Sequence, residues 1–120
     1  MLALGISETS FGRVFRLRFV RGVLDYIILL LLAKRNMSGY DILTFIYDKF
    51  HVLPSAGTVY PILANLERSG LIVSSVWGRK RVYQLTDAGE KALDLLRNEY
   101  DMTCRQIQIL MEPLDNKKGY

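Results

Sequence analysis

Apolar residues recur at helical spacing along four stretches of the 120-residue chain and crowd together, strand-like, between the third and fourth. From about Leu17 to Lys34 the pattern is helical and apolar nearly all round, so this helix has to be covered on more than one side. In so small a domain, part of that cover is expected from a second subunit. "NMSGYDIL" breaks the chain and restarts it: Ser38 is a good N-cap, and Ser38-x-x-Asp41 is a loose capping box with Asp in place of Glu. The second helix runs to about Lys49 on Leu43, Ile46 and Phe50. After "HVLPSAG", Ser55 caps a third helix whose stripe of Val59, Ile62, Leu63 and Leu66 fits the i, i+3, i+4, i+7 template without a miss. Gly70 is placed to end it in a left-handed conformation. Two β-rich runs, Leu71–Val76 and Arg81–Leu85, joined by Trp77-Gly78-Arg79-Lys80, read as a hairpin. Thr86 then caps a long last helix, Asp87–Met111, stopped by Pro113.

This order predicts a mainly α protein with a small β-hairpin: a winged helix-turn-helix domain over residues 17–86 and a C-terminal helix over 87–112. A tail, 113–120, and a basic N-terminal extension, 1–16, flank them. In the extension, Gly5, Ser7, Thr9, Ser10 and Gly12 interrupt any pattern. Phe11, Phe15 and Phe19, with Arg13, Arg16 and Arg18 between them, either extend the next helix backwards or form a basic arm. Winged domains also serve in protein–protein contacts, so an interaction or assembly module without specific DNA binding is the alternative function.

Composition narrows this outline. Half of the residues are hydrophobic and 23% are charged, as in ordinary globular proteins. One cysteine excludes an intramolecular disulfide framework and a cysteine zinc site. A lone histidine, His51, argues against a metal site or a Ser-His-Asp triad and reads as a helix-end residue. No cofactor, metal or enzymatic activity is expected. The longest apolar run, Val23–Ala33, spans 11 positions and includes Asp25, whereas a membrane span needs roughly 20 apolar residues. With no secretory signal pattern at the N-terminus, the expected location is cytoplasmic. Residues 1–86 carry 11 Lys/Arg against 5 Asp/Glu, while residues 87–120 carry 5 against 7, so the basic front and the acidic tail are expected to face different partners.

On the third helix, the face opposite the apolar stripe is Gly57, Pro61, Ala64 and Arg68, flanked by Thr58, Tyr60 and Asn65. Small residues there would let the helix sit deep in a major groove of double-stranded DNA. Ser55, Gly57 and Thr58 lie where free N–H groups and the helix dipole favour a phosphate. Asn65 and Arg68 are residue types that read base edges. Pro61 forfeits a backbone bond in a helix begun at Ser55 and costs little in one begun near Thr58. Arg79, Lys80 and Arg81 at the hairpin tip suit backbone phosphates.

"GYDIL", "SAGTVYPILANLERSGLI" and "RVYQLTDAGEKAL" together, over about residues 21–96, resemble the PadR family of transcriptional regulators. The resemblance implies a dimeric winged-helix DNA binder, usually a repressor, and a dimer that places one such helix in each of two major grooves is expected to act on an inverted repeat. It implies DNA-contacting roles for Tyr40 of the Gly-Tyr pair and for the Tyr60-Pro61 pair, a wing at Arg79–Arg81, and a last helix used for dimerisation. Ala56 departs from the residue that many members place there, and residues 1–16 lie outside the match. The homodimer interface is expected to draw on Tyr26 and Leu30 with Leu93, Leu96, Tyr100, Cys104, Ile107 and Leu110. A helix of 25 residues is about 37 Å long, more than a domain of this size is wide. The family also allows for a small-molecule effector at the dimer interface. Tyr100 reads as packing rather than a ligand platform, and Cys104 as a small buried hydrophobe rather than a sensor.

Overall fold

The stretch that the apolar pattern joins into one helix is two helices. A computed structural model describes residues 8–113, beginning with α1 (Glu8–Gly22) and, after a break at Val23, α2 (Leu24–Lys34). Val23 donates its N–H only three residues back, to the Val20 carbonyl at 3.2 Å, and so tightens the chain out of the α-helical ladder. Gly22, just before it, is a poor helix former and makes the break cheap. Residues 11–19 are therefore helical rather than an extended arm, but they belong to a helix of their own. α2 is the buried one: Leu24, Ile28 and Leu29 are almost wholly enclosed.

A two-residue strand, β1 (Met37–Ser38), precedes α3 (Gly39–Phe50). The capping box forms in full: the Ser38 hydroxyl accepts the Asp41 N–H at 3.1 Å, and the Asp41 carboxylate accepts the Ser38 N–H at 3.1 Å. Those bonds hold the Asp41 carboxyl below its ordinary range, the backbone bond from Ser38 most of all. His51 closes α3 in the left-handed region at φ 58°, which makes it the helix-end residue expected.

α4 (Ala56–Arg68) ends in a Schellman turn: Leu71 N–H reaches the Leu66 carbonyl, Gly70 N–H reaches the Glu67 carbonyl, and Gly70 sits at φ 78°. β2 (Ile72–Trp77) and β3 (Lys80–Leu85) form the hairpin, registered from Ile72 opposite Leu85 to Trp77 opposite Lys80. Its turn is two residues, not four: Gly78 at φ 62° and Arg79 on the negative side, a type II′ arrangement. Trp77 and Lys80 are thus cross-strand partners. β1 adds to the other edge of β3, so the sheet runs β1-β3-β2, all antiparallel. Two residues are too few for a period, and the sequence pattern shows no third strand.

α5 (Asp87–Leu110) is capped by the Thr86 hydroxyl, which accepts the Gly89 N–H at 3.1 Å and donates to the Gly70 carbonyl at 2.7 Å. The core is formed by Ile28 and Leu29 of α2, Ile42 and Ile46 of α3, and Val59 and Leu63 of α4. Ile72 and Tyr83 of the sheet and Leu93 of α5 complete it.

Candidate nucleic-acid interface

Val59, Leu63 and Leu66 anchor α4 in the core, which turns Gly57, Pro61, Ala64 and Arg68 to the surface. That face carries no bulky apolar side chain over its first three turns. Because α4 starts at Ala56, Pro61 lies inside the helix, and the cheaper placement in a first turn does not hold. Pro61 has no N–H for the Gly57 carbonyl, but Gly57 is exposed and the carbonyl can be solvated.

Ser55 takes the N-cap position by backbone without acting as a side-chain cap. Its hydroxyl is 3.1 Å from the Thr58 hydroxyl, and its carbonyl accepts the Thr58 and Val59 N–H groups. Arg68 donates to the Asn65 side-chain oxygen, so the two base-reading candidates hold each other one turn apart on the exposed side of α4. Asn65 lies on the flank of the helix beside Ile62, where it lines a cleft with Arg21 and Asp25 from the α1–α2 junction. Arg21 is a basic neighbour of α4 that sequence reasoning missed, because nothing local places the end of α1 there.

Tyr60 explains the glycine of the Gly-Tyr pair. A Cβ on Gly39 would lie 2.6 Å from both Cε1 and the hydroxyl of Tyr60, so the ring occupies the space a side chain would need. Tyr40, next to it, is exposed.

The three wing cations are not equivalent. Arg79 is in the turn, Lys80 is paired across from Trp77, and Arg81 is tied back along the strand. Arg81 donates to the Ser74 hydroxyl at 2.9 Å; Ser74 in turn donates its hydroxyl (2.6 Å) and its N–H (3.2 Å) to the Glu67 carboxylate near the end of α4. This relay sets the pitch of the wing against the helix. Sequence reasoning missed Ser74 and Glu67, whose seven-residue separation has meaning only once the hairpin folds back on α4. It also passed over Trp77, which is 71% exposed beside the turn with its indole N–H on the Ser75 hydroxyl.

The eight residues expected at a dimer interface divide into two groups. Leu93 is enclosed within its own domain, and Leu30, Leu96 and Tyr26 pack on the same core. Tyr26 and Tyr100 stack within the chain, ring centroids 5.3 Å apart, and the Cys104 thiol pushes the Tyr100 phenol above its ordinary value. Leu93 is therefore removed from the outward set, because the core of its own subunit already encloses it. Ile107 and Leu110 remain open, joined by Met111 and, on the back of α5, by Leu95, Met102 and Ile109. Phe11, Val14 and Phe15 of α1 are open as well, with Phe15 and Phe19 6.2 Å apart. A mainly apolar groove of about 420 Å³ runs between α1–α2 and α5, lined by Phe19, Tyr26, Leu96, Tyr100, Cys104 and Ile107. Among the described residues, no helix is long and apolar enough to cross a membrane, and no three His, Cys, Asp or Glu side chains are grouped to hold a metal ion.

Comparison with known proteins bears on this arrangement. The family model described as "Transcriptional regulator PadR-like family" matches residues 28–95. The negative transcriptional regulator PadR of Bacillus subtilis is 37% identical over an alignment 78 residues long that covers 59% of this chain and 43% of that protein. The chain thus spans less than half the length of that curated relative. A transcriptional regulator from Clostridium thermocellum superposes with a TM-score of 0.74 at 28% identity, covering 79% of this chain and 96% of its own. The structure of B. subtilis PadR in complex with operator DNA matches with a TM-score of 0.54 at 35% identity, over 62% of this chain and 47% of that one. With the family model covering more than half of its length, the chain belongs to the PadR-like family, whose members regulate transcription rather than catalyse a reaction.

Proposed function

We propose that the protein is a homodimeric, sequence-specific binder of double-stranded DNA that represses transcription from an inverted-repeat operator in the cytoplasm. The observation that carries this reading is the thin outward face of α4 beside a wing bearing Arg79, Lys80 and Arg81. A helix with small residues outward enters a major groove closely, and cations at a hairpin tip meet the flanking phosphates. The relative seen in complex with operator DNA supports the assignment, as does the relative named a negative regulator. In each subunit α4 reads one half-site, Asn65 and Arg68 supply base contacts, and half-sites fall about 10 bp or a multiple apart.

The second copy covers the apolar surface that α5 exposes beyond Tyr100, together with the phenylalanines of α1. The charges agree, since α1 carries Arg13, Arg16, Arg18 and Arg21, whereas Asp94, Glu99 and Asp101 lie on α5. A small apolar or aromatic effector fits the groove beside the Tyr26–Tyr100 pair, where it would act on the dimer rather than on α4 directly.

Selection from random duplexes tests the proposal. An enriched inverted repeat, bound at sub-micromolar protein and weakened by salt, is the expected result. Failure to enrich any sequence, with duplexes of all compositions bound alike, would return the protein to the class of interaction modules.

A further inference from the structure

Between the start of α3, the Tyr60 ring and the wing lies a cleft of about 320 Å³, whose lining includes Tyr40, Tyr60, Arg79, Lys80, Arg81 and Tyr83. No acidic side chain lines it: the nearby Asp41 is turned to the Ser38 N–H. Its floor is Tyr83, a strand residue only 6% exposed. No side chain or backbone group in the described chain hydrogen-bonds the Tyr83 hydroxyl. Yet among those residues no fully enclosed side-chain polar atom lacks a partner. The hydroxyl therefore opens on solvent, and the cleft is the space that Tyr83 lines. Burial, ahead of the charges around it, pushes the phenol above its ordinary value, so the group stays a donor well above neutral pH.

With no protein partner, the hydroxyl is left to donate to whatever occupies the cleft, water or a ligand. The side chains that line the cleft favour an anion, and the nearby Glu67 carboxylate, which Tyr83 also feels, is engaged by Ser74. Lys80 and Arg79 stand at the rim, and Arg81 is held nearby by Ser74. The start of α3 contributes the positive end of a 12-residue helix, with the Tyr40 N–H in the unsatisfied first turn. Gly39 keeps the approach low, since its missing side chain is what admits Tyr60 beside the opening.

We propose that this cleft seats one phosphate of the DNA backbone, held by the Tyr83 hydroxyl, the Tyr40 N–H and the cations of Lys80 and Arg79. The assignment rests on the DNA-binding function proposed above and adds a residue to it: Tyr83, a structural residue of the sheet by position, is a phosphate ligand. Such a seat joins α3 and the wing through one oxyanion, and it fixes the strand flanking the groove without reading its sequence.

The test is Tyr83→Phe in the full chain, with a mixed-sequence duplex of about 24 bp, two turns and flanks, as the probe. The substitution keeps the ring and removes only a hydroxyl that no protein group uses, so the urea midpoint should equal that of the wild type. Duplex affinity should fall about tenfold for each cleft engaged, the value of a hydrogen bond to a charged group. The salt slope should stay unchanged because no cation is lost, whereas Lys80→Ala should lower it by about one. Unchanged duplex affinity in Tyr83→Phe would overturn the proposal. Should the wild type bind no duplex at low salt, the DNA-binding function itself fails, and inorganic phosphate separates the remaining cases by the Tyr40 amide resonance. A shift in the wild type that Tyr83→Phe abolishes would mean that the seat takes a free phosphate, overturning the backbone assignment; no shift would overturn the seat altogether.

Discussion

Replacing Gly89 by alanine puts two physical effects in opposition at a site where the structure decides between them. Gly89 lies in the first turn of α5, and alanine there gains at most about 1 kcal/mol of helix propensity. Against that, a methyl group would be driven into the Leu71 carbonyl oxygen and would come within 2.6 Å of Leu85 Cδ1. The leucine can turn aside, but the carbonyl cannot. It accepts the Thr86 N–H at 3.1 Å, and the residue before it is held by the Thr86 hydroxyl. Relief requires α5 to rise off the end of α4 and uncover part of Leu93, a shift of the overpacking kind that costs about 1–3 kcal/mol, so the net effect is a loss. With a urea dependence of about 1–3 kcal/mol per molar, the unfolding midpoint should drop by several tenths of a molar to about 1 M. The measurement needs a fixed protein concentration, since association would add to stability. Gly12→Ala is the control: it lies within α1 with nothing near its missing Cβ, and should be neutral or slightly stabilising. A Gly89→Ala midpoint equal to or above that of the wild type would refute the steric argument.

Three further outcomes follow from the same geometry. Thr86→Ala loses both the cap on Gly89 and the bond to the Gly70 carbonyl, and urea unfolding should show a loss of about 1–2 kcal/mol. Asp41→Asn bears on pH: the folded-state pKa of Asp41 is lowered, so its contribution is present above the unfolded carboxylate value and fades as pH falls through the folded one. The wild-type advantage over Asp41→Asn in unfolding midpoint should therefore be full near neutrality and shrink below about pH 4; an advantage that grew with acid would contradict the capping role. Ser74→Ala cuts the relay between Arg81 and Glu67, and anisotropy titrations should show duplex binding weakened a few-fold with an unchanged salt slope, since every cation remains.

Periodicity made the helices and the hairpin legible because each carries its own stripe, cap or turn residue. Ser38, Gly70 and Thr86 act where their chemistry places them. What stayed hidden is non-local. Continuous apolar sequence ran across Val23, and the break shows only in the folded backbone, where the Val23 N–H turns back three residues. The site was read by residue type on the face of α4, and its small residues do lie outward. Its supports, Glu67 through Ser74 to Arg81 and Tyr60 over Gly39, join positions that come together only in three dimensions. Leu93 was grouped with an interface because one stripe of α5 serves two purposes, its own core at the near end and open surface at the far end.

The contact between Gly89 and Leu71 has a mechanical side. It sets the foot of α5 against the residue where α4 turns into the wing, with no flexible linker between them. The 24 residues of α5 extend about 36 Å from there. A displacement of about 3 Å at the far end thus corresponds to a tilt of only about 5° at the foot. The helix is a reducing lever: coarse movements at its distal end arrive beside α4 as fine ones.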